Sequence, residues 1–194
     1  MKLYDISQEV FSCVVFPGDP APQREILNTM ESGGLYNLTA FSMCAHNGTH
    51  VDAPAHFLPD SPTIEKIPVE KFVGESLLVH HDGDVTAEAA KAMVGRLGDI
   101  PRLLIAGKAT VTREAAHVFA DAKLFLVGNE SQSVGPEDSP VPVHKILLGK
   151  GIALLEGVVL KDVPQGRYFL SAAPLNLGGA EGAPCRAYLI DWEG

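Results

Sequence analysis

Short apolar runs alternate with amphipathic stretches through the middle of the chain, and this alternation predicts strands interleaved with helices. Residues 75–80 read as a buried strand, and 103–106, 123–127 and 152–155 as further short apolar strands. Residues 86–97 and 112–122 read as helices. Each opens on a threonine able to cap it, Thr86 or Thr112, and each carries an acid in its first turn, Glu88 or Glu114, where the helix dipole favours negative charge. A shorter helix is expected near 143–148, and more strands at 36–46, 168–175 and 187–190. Residues 1–57 read as extended pieces separated by turns, with Pro17, Gly18 and Pro20 as the strongest break, and Pro54, Pro59, Pro62 and Pro68 exclude a long helix before Val69. The pattern predicts one mixed α/β domain over residues 1–194, and its β-rich first quarter argues against a purely parallel, doubly wound sheet.

A chain of 194 residues buries about 70% of its unfolded surface on folding and needs no staple to be stable. Apolar residues at 46% and charged residues at 20% are the balance of an ordinary globular protein. Fifteen Lys and Arg against twenty-four Asp and Glu leave a net charge of −9. That field repels phosphate backbones and anionic lipids, so neither nucleic acid nor a membrane is expected as a partner. The three cysteines, Cys13, Cys44 and Cys185, form no CxxC pair and suit a reducing compartment. Asp5 and Glu9 stand where a signal peptide is apolar, and the expected location is the cytoplasm.

Histidine is the residue that changes the picture. His46, His50 and His56 lie within eleven residues together with Asp52, all at even positions. In an extended chain, residues of one parity project to one side. Gly48, Pro54 and the β-branched Thr49 and Val51 oppose the competing helix. A straight strand from His46 to His56 would span roughly 33 Å, whereas atoms on one metal sit about 3–4 Å apart. The segment must therefore bend, and Gly48 and Pro54 are the residues that allow it. Imidazole and carboxylate donors suit zinc and its neighbours, and Asp52 can bridge two ions. Histidines lining a core or a subunit contact are the competing reading.

The run His46, Asn47, Gly48, Thr49, His50, Val51, Asp52, Ala53, Pro54, Ala55, His56 resembles the HxGTHxDxPxH signature of the cyclase-type metal-dependent hydrolases at every fixed position. Similarity extends to Asp5–Ser7, Pro17–Asp19, Ser131–Val134, His144, Leu155–Gly157 and Ala173–Leu175. The resemblance implies a swivelling β/β/α arrangement, a homodimer or higher homo-oligomer, and two divalent ions per chain, zinc or manganese. It implies that His46, His50 and Asp52 hold the first ion, that Asp52 bridges to a second held by His144 and a bridging Glu156, and that His56 stays unligated as general acid/base. The implied activity is hydrolysis, by metal-activated water, of a small-molecule N-formyl aryl amide such as N-formyl-L-kynurenine; the alternative is ring-opening of a cyclic amide such as isatin. Phe16 stands where formamidases of the family carry a tryptophan that contacts the aromatic part of the substrate, and its smaller ring lacks the N–H.

Taken without the resemblance, His144 opens an apolar helical stretch where a solvent-facing or capping histidine is ordinary, and Glu156 ends an apolar strand where a carboxylate needs a partner. No G-x-S-x-G elbow or catalytic cysteine signature offers a protein nucleophile. The glycine-rich residues 178–182 read as a hairpin connection. His80 and His81 read as strand-end residues, and His117 as a surface or partly buried helical one. A metal-binding protein without catalysis is the third functional reading, marked by a closed coordination shell.

Overall fold

The apolar runs become the middle of a large mixed sheet in the structure, a computed structural model that describes residues 1–192. The strands and helices of the first half are β1 (Lys2–Asp5), β2 (Gln23–Asn28), β3 (Leu38–Ser42), β4 (His50–Asp52), β5 (Val73–His80), β6 (Gly83–Val85) and α1 (Ala87–Leu97). Those of the second half are β7 (Arg102–Ala106), β8 (Ala109–Val111), α2 (Arg113–Asp121), β9 (Leu126–Asn129), α3 (Val141–Gly149), β10 (Ala153–Glu156), β11 (Gly166–Ser171), β12 (Gly182–Pro184) and β13 (Tyr188–Asp191). Among the described residues nine strands form the sheet in the order β1-β13-β11-β5-β7-β9-β10-β4-β12. Its centre, β5-β7-β9-β10, is parallel, and the flanking pairs are antiparallel. The expected mixed α/β class is what forms.

Both faces of the parallel centre are covered, which is why those strands are nearly continuous apolar runs. Leu77, Val79, Leu103, Ile105, Val127 and Leu154 pack on one face against α1, α2 and α3. Leu78, Leu104, Leu126 and Leu155 turn to the other face and meet Ile6, Phe72, Leu160 and Leu170. Thr86 and Thr112 cap their helices as expected, their side chains accepting from the amides of Ala89 and Ala115 at 3.2 Å. The proline-rich stretch folds into short 3₁₀ turns at Pro54–His56, Ile64–Lys66 and Val69–Lys71.

Several expected boundaries move for local reasons. The strand expected at 36–46 stops at Ser42, because the Asn47 side chain accepts from Cys44 N at 2.8 Å and closes a turn that contains His46. The strand expected at 123–127 starts at Leu126, after Lys123 takes a left-handed φ of 56° and Phe125 N donates to Pro101 O. The strand expected at 168–175 runs from Gly166 to Ser171. Residues 178–182 do not connect a hairpin: β11 bonds to β5 and β13, whereas β12 lies at the far edge against β4. Glycines mark a change of direction and carry no information about which strand receives the chain.

Phe119 of α2 is fully buried in the layer between the helices and the sheet. Phe119→Ala is expected to cost about 3–5 kcal/mol of stability, read as a lower urea midpoint with an unchanged slope.

Candidate metal centre

The strand β4 lies between β10 and β12, and its pairing with β10 sets Glu156 opposite His50 and Leu154 opposite Asp52. Side chains alternate along a strand, so His50, Asp52 and Glu156 leave the sheet on the face where Leu154 meets the helices. His144 enters the same space from α3 and is buried there. His46 comes from the turn before β4, where Gly48 adopts a φ of 64° that favours glycine. Thr49 ties this turn to the end of β10, its hydroxyl donating to Gly157 O at 2.7 Å and accepting from Gln8 N at 2.9 Å. Beyond β4 the 3₁₀ turn Pro54–His56 bends the chain back, and the His56 ring stacks on His46 with centroids 4.0 Å apart.

The distances define two groups that share Asp52. His46 Nδ1 lies 2.8 Å and His50 Nε2 3.5 Å from Asp52 Oδ1. His144 Nε2 lies 3.6 Å from Asp52 Oδ2 and 3.2 Å from Glu156 Oε1, and His50 Nε2 lies 3.4 Å from Glu156 Oε2. The donor atoms of His46, His50 and Asp52 are all within 4.8 Å of one another, as are those of Asp52, His144 and Glu156. His56 joins neither group.

Hydrogen bonding behind the rings decides which nitrogen faces inward. His50 Nδ1 donates to Gly48 O at 2.9 Å, and His144 Nδ1 donates to Pro140 O at 2.8 Å. Each Nε2 is therefore the atom turned toward the carboxylates. His50 Nε2 and Asp52 Oδ2 are buried and lack a hydrogen-bond partner. A bare lone pair facing a carboxylate is repulsive, so the arrangement needs protons or a cation between the groups. The nitrogen and oxygen donors with two orphaned buried atoms fit divalent ions of the zinc and manganese class.

Electrostatics in the metal-free chain agree. Burial pushes the His46 imidazole down, but its hydrogen bond and charge interaction with Asp52, joined by Glu181, outweigh this and raise it to about 9. Burial opposes charging of His50 and His144 as well, and the nearby carboxylates Glu156 and Asp52 outweigh it and raise both. Asp52 and Glu156 are lowered despite full burial, because the imidazoles hydrogen-bond to them and surround them. His56 goes the other way: burial pushes it down, and the charges of His46 and His144 help burial outweigh the opposing charge of Asp52.

A cleft of about 200 Å³ opens over the donors. Phe16, Phe57 and Pro140 form apolar parts of its wall, and Asp19, Gln132 and Ser133 add polar groups.

Residues 4–136 match the Cyclase family model, described as "Putative cyclase". The chain belongs to this family. It is 35% identical over 212 aligned residues to the "Kynurenine formamidase" of Salinibacter ruber (strain DSM 13855 / M31), with 98% of each chain covered. A solved structure titled "The structure of predicted metal-dependent hydrolase from Bacillus stearothermophilus" is 30% identical with a TM-score of 0.81 and 97% of each chain covered. "Isatin hydrolase A (IHA) from Labrenzia aggregata bound to benzyl benzoate" superimposes with a TM-score of 0.82 at 22% identity, over 97% of this chain and 93% of that one, a likeness of fold.

The structure thus brings His46, His50, Asp52, His144 and Glu156 into one cluster, sets His56 against His46, and places Phe16 on the cleft wall. His144 is neither solvent-facing nor a cap. His80 ends β5 exposed, His81 Nε2 bonds to Asp84 O at 3.0 Å, and His117 is exposed on α2. One acid escaped the sequence reading: Glu181, whose Oε1 is 3.2 Å from His46 Nε2. A lone glutamate among glycines and alanines looks like any solvated surface residue, so nothing in the sequence marks it.

A group whose pKa rises on folding stabilises the fold fully below its unfolded value and loses that contribution as pH rises through its folded value. In chelator-treated protein, the His46 contribution is therefore complete below about pH 6.5 and lost as pH climbs through about 9. Urea unfolding at a series of pH values is expected to show this decline, and His46→Gln to flatten it. Zinc affinity is expected to strengthen over the same interval, because binding displaces the imidazole protons.

Proposed function

We propose that the chain is a metal-dependent amidohydrolase of the arylformamidase type, cleaving an N-formyl aryl amide such as N-formyl-L-kynurenine in the breakdown of tryptophan. The observation that carries the reading is a pair of donor groups sharing Asp52 beneath a cleft whose wall holds a histidine outside both groups. In this reading His46, His50 and Asp52 hold one ion, and His144 and Glu156 hold a second, which Asp52 bridges to the first. Glu156 faces His50 as well as His144, which supports a bridging role for it too. The donors accept zinc and manganese alike. Two such ions supply polarisation of the substrate carbonyl and a lowered pKa for water.

His56 supplies the proton traffic. Its lowered pKa keeps the ring neutral at pH 7, so it can take a proton from the attacking water and deliver it to the leaving nitrogen. Its stacking on His46 holds the ring beside the cluster without using a ring nitrogen. Phe16 offers an apolar face for the aryl part of the substrate, and Phe57 closes the wall beside His56. Opening of a cyclic amide would use the same donors, and the fold likeness to an isatin hydrolase is what favours that second reading.

Metal analysis is expected to find two divalent ions per chain, and none after re-addition overturns the proposal. His56→Ala should keep both ions while turnover falls about 10²–10⁴-fold. Comparison of kcat/KM for N-formylkynurenine and isatin is expected to favour the formyl amide; the reverse order selects the cyclic substrate, and no turnover of any amide leaves a binding protein. Phe16→Ala should raise KM for the aryl formamide about tenfold.

A homodimer in the cytoplasm completes the proposal. Among the described residues no helix is long and apolar enough to cross a membrane. The two-stranded ribbon β2-β3 stands apart from the main sheet with Ile26 60%, Leu35 93% and Phe41 58% exposed, an apolar surface suited to a second copy. Leu35→Asp with Phe41→Asp should convert a dimer to a monomer in sedimentation.

A further inference from the structure

His50 and His144 each rest their second ring nitrogen on a backbone carbonyl. His46 does not. Its Nδ1 faces Asp52 Oδ1 at 2.8 Å, and its Nε2 faces a second carboxylate, Glu181 Oε1, at 3.2 Å. Glu181 reaches the ring from a segment that is firmly held. Ala53 N donates to Glu181 O and Ile64 N to Ala180 O, both at 2.8 Å. At the next residue β12 begins, with Gly182 paired to Asp52 and Pro184 to His50.

Gly182 also makes room for the imidazole, since a Cβ there would lie 2.8 Å from His46 Cε1 and 2.9 Å from Val51 O. The backbone of β12 therefore leaves a slot for the His46 ring, and the preceding residue sets a carboxylate at the ring's outer nitrogen. The Glu181 side chain is 45% exposed, whereas Asp52 is fully buried. Glu181 thus meets the His46 ring from the solvent side, whereas Asp52 meets it from the buried interior.

We propose that Glu181 is a positioning residue of the metal centre: it accepts the Nε2–H of His46 and so leaves Nδ1, the nitrogen aimed at Asp52, as the ligating atom. This role rests on the metal-dependent function proposed above and deepens it. A ligand imidazole that donates its other N–H to a carboxylate is fixed in tautomer and orientation and becomes a more basic donor. Of the three imidazoles in the cluster, only His46 has a charged acceptor behind it, so the strength of the first ion site depends on a strand at the sheet edge that contributes no ligand.

The test compares the full-length wild type with Glu181→Ala and Glu181→Gln. Metal-free protein is titrated with Zn²⁺ against a chromophoric chelator, while imidazole ¹⁵N spectra report which histidines each ion engages. In Glu181→Ala the affinity of the site that engages His46 is expected to fall about 10–100-fold. The site that engages His144 should stay within about threefold of wild type, a split that general loosening of the fold would not produce. The spectra of zinc-loaded wild type should show His46 protonated at Nε2. Glu181→Gln keeps the shape and loses the charge, with an expected loss of about tenfold, and it decides the matter if the alanine variant does not fold.

Unchanged affinities in the folded variants, or zinc at His46 Nε2, overturn this role while two-ion binding by the wild type leaves the proposed function standing. A wild-type chain that takes up no zinc overturns both.

Discussion

Two buried carboxylates, Asp52 and Glu156, set the terms for the rest of the molecule. They lie on adjacent strands, each raises the cost of ionising the other, and both are almost wholly buried. Carboxylates in that position stay charged only when cationic or hydrogen-donating groups surround them. Three imidazoles do so, and each is aimed by a different piece of chain: His50 by the strand itself, His46 by the turn at Gly48, His144 by a helix from the other half of the sequence. The same requirement that keeps the metal-free fold intact creates a divalent-ion site, because a cation can replace the protons between those atoms.

The sheet supplies the rigidity this arrangement needs. Glu156 ends a parallel strand covered on both faces, and the site opens beyond the carboxyl end of that strand, where α/β sheets commonly place ligands. Across the ladder β4 runs the opposite way, which puts His50 level with Glu156 and Asp52 one pleat further in. The third strand, β12, closes the other side of β4 and shapes the slot for His46. Because each of the three strands is hydrogen-bonded to its neighbour, the donors are held in relation to one another by backbone. That division leaves the loops before residue 23 and after Asn129, with Phe57 from the turn that follows β4, to form the cleft wall, the part that meets a substrate.

His56 shows how one cluster can contain groups with opposite protonation behaviour. His46 lies against two carboxylates and holds a proton strongly, while His56, stacked on it, has no hydrogen-bonded carboxylate among the described residues, and burial with the two neighbouring imidazoles outweighs the charge of Asp52. Environments that push neighbouring titratable groups apart in this way separate holding roles from proton-transfer roles.

Local chemistry along the chain was enough to read much of this. Apolar runs on both faces marked β5 and β7, capping threonines marked α1 and α2, and the crowding of three histidines and an aspartate around Gly48 and Pro54 marked a bent, ligand-rich segment. Those signals are local, so one stretch of chain carries each of them in full. The partners of that segment were legible only by resemblance: His144 in an apolar helix and Glu156 at a strand end have ordinary alternatives, and burial plus a shared neighbour is what removes them. Glu181 had no signal at all, and the glycines beside it suggested a hairpin where the chain crosses to the far edge of the sheet. Strand order decides such matters, and strand order follows from packing summed over the whole core, a quantity that no short window of residues contains.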